Sequence, residues 1–272
     1  MAESVLRQEV RAGRILLRAA WRAAMGYRAN FLMTIMGGVA LQGTQLLFLG
    51  VLLAKFQVID GWRFNDLAFL FALRLAAHAM YVVPFGAMIR IDQAVQQGDM
   101  DRYLIRPAGA YLQVITSYAP LMALGDLLLG CTALAIFAPQ SSVDWSPVKV
   151  AFLVAAVLGG GLVEAGLQTF LAAFAFKLTS TMSMRILADD TISRFSGYPL
   201  TMFGRWGFLS LTFLFPMAFI AYLPATVLLG RTDQLPIPTW LAAASPAGGL
   251  LVFTLALMFF NRMIKHYNSP GS

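Results

Sequence analysis

Residues 31–54 read FLMTIMGGVALQGTQLLFLGVLLA, twenty-four positions without one charged side chain. As a helix rising about 1.5 Å per residue they reach roughly 36 Å, enough to cross a hydrocarbon layer of about 30 Å with some tilt. No water is present at that depth to satisfy backbone amides, so the segment has to be helical. Gly37, Gly38 and Gly43 narrow it and invite close approach of a neighbour, although glycine is common in such spans anyway.

Comparable apolar runs recur at about 66–89, 113–137, 148–174, 206–224 and 246–262. The whole chain is 59% hydrophobic and 12% charged, with a mean hydropathy of +0.71; a soluble domain carries about a quarter charged residues. The fold class is therefore all-α, a polytopic membrane protein of about six helices. The loop 55–65 is short and turns at Asp60-Gly61 beside Trp62, so the first two spans are antiparallel neighbours. Residues 177–205 hold Lys177, Arg185, Asp189, Asp190, Arg194 and Arg205 and do not suit a lipid-exposed span. Within them 181–196 reads as a short helix terminated by Gly197-Tyr198-Pro199. Proline punctuation over 225–245 suggests a re-entrant or surface-lying element before the last span, sheltered by protein if it lies at membrane depth. The organisation is an interfacial segment 1–28, one transmembrane domain 29–265 and a basic tail 266–272.

The leading segment SVLRQEVRAGRILLRAAWRAAMGYR places Arg7, Arg11, Arg14, Arg18 and Arg22 within roughly an 80° sector of a helix, with Leu, Val, Ile, Ala and Trp over the remainder. Such a helix lies in the membrane interface with its guanidinium groups toward lipid phosphates; a solvated lead-in or the start of the first span is the plainer reading. No cleaved signal peptide is expected from these residues. With the N-terminus inside, the cytoplasmic segments hold fifteen Lys and Arg and the external loops four, Lys55, Arg63, Lys149 and Arg231. That bias puts both ends in the cytoplasm and accounts for the net charge of +7 without nucleic acid.

Cys131 is the single cysteine, and His78 and His266 are the two histidines, too few for a disulfide framework or a zinc centre. No phosphate loop, HExxH or GxSxG pattern occurs. Arg74, Asp126 and Glu164 sit near the middle of spans two, three and four, where an unpaired charge costs about 2.5–3.5 kcal/mol. Mutual pairing would offset much of this; a substrate-facing or gating role and a proton relay are the alternatives. His78 lies one turn after Arg74 and reads as a hydrogen-bonded packing residue.

The segment 90–112, RIDQAVQQGDMDRYLIRPAGAYL, leaves the membrane between spans two and three. A helix stopped before Pro107 would present a compact docking knob there; the alternative is an ordinary connecting loop.

Together the leading amphipathic helix, GDMDRYLIRPAG at 98–109, YPL at 198–200 and FPMAFIAYLPATVLLG at 215–230 resemble permease subunits of the ABC-2 class of bacterial ABC transporters, in particular their six-span group. The resemblance implies a bacterial cytoplasmic membrane location and a coupling helix from about Asp92 to Leu104 seated in a cytoplasmic ATPase. Asp99, Asp101, Arg102 and Pro107 match the loop pattern, with Asp92, Tyr103 and Leu104 inside the same element. It also implies a second permease chain, same or different, and 225–245 as the re-entrant region. ATP and Mg would belong to the partner ATPase and no cofactor to this chain. Transport would be export, of a lipid-like or amphiphilic substrate. Two other classes remain at this point: a membrane enzyme acting on lipid through Asp126, Glu164 and His78, and a scaffold without transport function.

Overall fold

The computed structural model describes residues 13, 15, 16, 18–22, 26, 28–55, 58, 59, 61–178 and 180–269. Arg7, Arg11 and Arg14 of the leading segment lie outside the described residues, whereas Arg18 and Arg22 are helical and exposed. Helix α1 (Arg28–Lys55) contains the quoted stretch and leads through a two-stranded antiparallel hairpin, β1 (Val58–Ile59) and β2 (Trp62–Arg63), into α2 (Phe64–Phe85). Gly61, at φ 77°, makes the turn.

Helix α2 is the axis of the bundle. Every residue from Asp66 to Ala79 is buried, as expected for a helix that is apolar on all sides and has neighbours on all sides. Against it pack α6 (Met122–Phe137) and α7 (Pro147–Ala172), while α1 packs on α6 and α12 (Ser245–Met263) packs along α7. Gly159 meets Pro246 and Gly249, and Gly166 meets Phe253, so α7 and α12 run parallel. A Cβ at Gly249 would collide with the Gly159 carbonyl oxygen; only glycine allows this backbone contact.

The expected continuous span 113–137 is two helices, α5 (Ala110–Ile115) and α6, separated by a break ahead of Pro120. Proline supplies no amide hydrogen and disfavours helical geometry in the residue before it. The helix of α2 instead continues through a 3-10 turn, Gly86–Arg90, into α3 (Ile91–Gln96) and out of the bundle. The end carrying residues 86–109 is the basic end of the molecule, and the β-hairpin marks the opposite one.

The larger departure concerns the fifth span. Residues 206–224 do not form one helix. Helix α9 (Gly204–Leu209) runs into a π turn at Ser210–Leu214, the chain reverses at Phe215-Pro216, and α10 (Tyr222–Leu228) returns. At the tip of this re-entrant pair the Ile220 carbonyl lies against Gly160, which also meets Ala77 halfway along α2. Its base is at the hairpin end, where Thr201 meets the Tyr222 hydroxyl at 3.0 Å and Lys149 Nζ donates to Leu228 O at 3.4 Å. Met217, Ala218 and residues 220–226 are buried, so the returning limb is sheltered by protein, while Phe213, Leu214 and Phe215 at the π turn and the reversal are exposed. Pro216, without an amide hydrogen, sits where the helix has to stop.

The fifth crossing is α8 (Met182–Phe195), the charged helix read as lying outside the membrane. Its neighbours run along α3 and α2 in order: Asp92 of α3 accepts from Thr181, Arg185 lies within electrostatic range of Tyr81 and Asp189 within that of His78, and Phe71 lies against Gly197. Arg194 therefore lies at the depth of the bundle, on its outer face, and Arg205 at the opposite end, and the charge bias survives without them. The re-entrant element is 204–228 rather than 225–245; residues 229–244 cap the hairpin end through a 3-10 turn and α11 (Thr239–Ala243). There Arg231 donates to Asp66 Oδ2 at 3.1 Å and to Gly61 O at 3.0 Å, and stacks 5.1 Å from the Trp62 ring.

Candidate functional site

At the basic end, α3 and α4 (Asp99–Ile105) form a bent pair hinged at Gly98, whose φ of 75° is left-handed. Asp99 and Asp101 lie in the first turn of α4, where the helix dipole favours carboxylates. Arg102 Nη2 reaches Asp99 Oδ1 at 3.3 Å across one turn. Met100 and Tyr103 turn inward, and the helix ends before Pro107 as its sequence requires. The opposite face exposes Leu104 and Ile105, the latter 85% accessible. Only the helix phase shows that Ile105 is the most exposed apolar side chain of this element.

The pair is fastened to two other elements. Asp92 is buried and points inward: its carboxylate accepts from Thr181 N at 3.0 Å, Thr181 Oγ1 at 2.7 Å and Ser180 Oγ at 3.2 Å. It thereby ties the element to the first residues of α8. Gln113 of α5 donates through Nε2 to Tyr103 O at 2.8 Å and Ala108 O at 2.7 Å. Ser269 of the tail donates to Asp101 Oδ2 at 2.7 Å. Burial, with the Asp101 carboxylate nearby, holds the Tyr267 hydroxyl above its usual pKa, so it remains a neutral group on this strap. Asp92→Ala removes an acceptor and leaves two hydroxyls and one amide to rearrange. A loss of about 1–3 kcal/mol is expected, read as a lower thermal midpoint of the detergent-solubilised chain.

Deeper in the bundle, five helices bring polar side chains together around α2. Arg74 and His78 project from it, Asp126 from α6, Glu164 from α7, Asp189 from α8 and Gln42 from α1. His78 Nδ1 and Glu164 Oε2 are 2.8 Å apart; with an ionised carboxylate that can only accept, the ring donates. Glu164 is fully buried. Arg74 is buried too, and its Nε and Nη1 have no hydrogen-bond partner among the described residues. The expected Arg74–Asp126–Glu164 pairing is thus a looser cluster in which histidine makes the direct contact and Arg74 acts at a distance. Nearer the basic end Gln168 Oε1 faces Arg185 Nε at 3.4 Å. Asp189, Gln42 and Gln168 do not stand out in the sequence: Gln42 and Gln168 are uncharged polar residues buried within apolar spans, and half-buried Asp189 becomes legible only once 181–196 is read as part of the bundle.

One further charged pair faces outward. Asp190 Oδ2 and Arg194 Nε, 2.8 Å apart on α8, are largely exposed, beside a cleft of about 500 Å³ shared with Gln45, Phe48 and Phe71.

A family model described as "ABC-2 family transporter protein" matches residues 39–271, most of the chain. The chain belongs to the ABC-2 family of transporter proteins. Searches of curated proteins and of solved structures gave no match. This ABC-2 transporter protein is an all-α membrane permease, and the family places its role in transport rather than in chemistry on a substrate. Among the described residues no group of His, Cys, Asp and Glu is arranged to hold a metal.

Proposed function

We propose that this chain is the membrane subunit of an ATP-driven exporter in the bacterial cytoplasmic membrane, with both ends in the cytoplasm. The basic end then meets a separate ABC ATPase, which binds ATP and Mg. The observation that carries this reading is the α3–α4 pair: a short rigid element that offers exposed Leu104 and Ile105 while Asp92 and Gln113 clamp it to two helices of the bundle. Force applied at α4 is passed to α8 through the Asp92–Thr181 contact and to α5 through Gln113. Two states of the bundle with different fits to the ATPase are all that coupling requires.

The Asp190–Arg194 pair supports two further parts of the proposal. A charged pair at that depth is costly against lipid, so this face of α8 is turned to a second permease chain and to the path of the substrate. Charged groups beside apolar walls such as Phe48 and Phe71 suit an amphiphile. The test is to co-express the chain with the product of any ABC ATPase gene beside its own, purify by a tag on the permease, and assay ATP hydrolysis in liposomes. A stable assembly with permease-dependent turnover supports the proposal; a chain that purifies alone with no effect on the ATPase refutes it.

A further inference from the structure

At the basic end a cleft of about 340 Å³ opens between the leading helix and the coupling element. Its apolar wall is Leu16, Ala19 and Ala20; its polar wall includes Arg102, Arg106 and Gln113. Gln113 is only 3% exposed, and its amide orientation is fixed by chemistry, because Nε2 must face the two carbonyl oxygens of Tyr103 and Ala108. Among the described residues Oε1 is thereby left as a buried acceptor with no partner. An orphaned acceptor of this kind is costly unless something donates to it. Arg102 and Arg106 supply two exposed guanidinium groups, and the single contact of Arg102 with Asp99 uses one of its five donor hydrogens.

We infer that this cleft is a phospholipid headgroup site, with the phosphodiester on Arg102 and Arg106 and an N–H or O–H of the headgroup donating toward Gln113 Oε1. Guanidinium groups match phosphate oxygens in geometry and charge. The leading helix, with exposed Arg18 and Arg22 beside Ala19 and Ala20, lies along the headgroup layer that supplies the ligand. Because Gln113 also grips α4 through Tyr103 O, an occupied site stiffens the joint between α4 and α5. A soluble phosphate ester shares the phosphate chemistry but not the acyl chains that the Leu16 wall would cover.

The test uses the purified full chain alone, so its outcome is separate from that of the ATPase proposal. The delipidated chain is titrated with phosphatidylethanolamine, phosphatidylglycerol, phosphatidylcholine and diacylglycerol, with retained lipid read by native mass spectrometry and stability by thermal midpoint. Phosphatidylethanolamine and phosphatidylglycerol are expected to bind with 1:1 stoichiometry, phosphatidylcholine more weakly because choline has no donor, and diacylglycerol not at this site. In the R102Q/R106Q double variant, checked for an unchanged monodisperse profile, affinity falls about ten-fold or more, and Arg106→Lys in the wild-type background retains most of it. Equal binding of phosphatidylcholine and phosphatidylethanolamine by the wild-type chain overturns the inference without any variant. Unchanged binding by the double variant does the same, and so does inorganic phosphate raising the midpoint as far as lipid does, which would assign the cleft to a soluble ligand.

Discussion

Replacing Glu164 by alanine will lower the thermal midpoint of the solubilised chain by on the order of 10 °C and sharply reduce its folded yield. Glu164 is fully buried and is the direct partner of His78; Arg74, also buried, has two nitrogens without a hydrogen bond. Removing the carboxylate leaves positive and polar groups in the bundle interior with less to balance them, the situation that costs about 3–5 kcal/mol when one member of a buried pair is deleted. Each kcal/mol shifts the midpoint by about 2–4 °C in a chain of comparable size. Glu164→Gln separates geometry from charge. It keeps an acceptor for the His78 ring but removes the negative charge, so a midpoint close to wild type would show that the hydrogen bond is what matters. A loss as large as that of alanine would show that the charge facing Arg74 matters. An alanine variant as stable as wild type would remove the structural role of this pair. Fluorescence-detected size exclusion after heating is sufficient to read all three.

The same region shows where sequence reasoning succeeds and fails. Spans with a uniform apolar run, α1, α2, α7 and α12, were legible because hydrocarbon imposes one requirement on every position. The turn at Asp60-Gly61 and the stop before Pro107 were legible from local backbone chemistry. Helix α8 was not. Arg185, Asp189, Asp190 and Arg194 made it read as outside the membrane, whereas Arg185 and Asp189 face α2 and only Asp190 and Arg194 point outward. Only Arg185 and Ile192 of α8 are buried while Met184, Ile186 and Leu187 are exposed, so one face meets protein and the other does not, and hydropathy averaged over the segment cannot see which. The reverse error fell on 206–224, apolar enough to cross but folded back at Pro216, with the returning limb packed on α2 and α7 and the outgoing limb exposed at Trp206, Phe213 and Leu214. At the coupling element the helix and its end could be read, but its inward and outward faces could not. Asp92, expected toward the ATPase, is the internal clamp, and Ile105 is the exposed tip.

That division of faces sets the second large effect. The double variant Leu104→Asp/Ile105→Asp is expected to weaken assembly with the ATPase by about thirty-fold or more and to abolish permease-dependent ATP hydrolysis, with membrane insertion and thermal midpoint unchanged. Ile105 is almost fully exposed in the isolated chain and Leu104 about half, so placing carboxylates there removes little packing within it. In the complex they would form the apolar centre of the contact, and truncating or charging a central residue of an interface typically costs about 2 kcal/mol or more. The Asp99–Arg102 pair makes a useful contrast. It is exposed, and such pairs contribute about 0–1 kcal/mol, so Asp99→Asn alone should alter assembly only a few-fold unless the ATPase reads that charge directly. Asp92→Ala should behave differently from both: α4 still docks, but its link to Thr181 at the head of α8 is cut, so hydrolysis continues while transport falls. Measuring assembly, hydrolysis and transport on the same three variants places each residue on one step of the coupling. Wild-type assembly by the Leu104→Asp/Ile105→Asp protein would show that α4 is not the docking element, and the ATPase contact would then have to be sought elsewhere on the basic end.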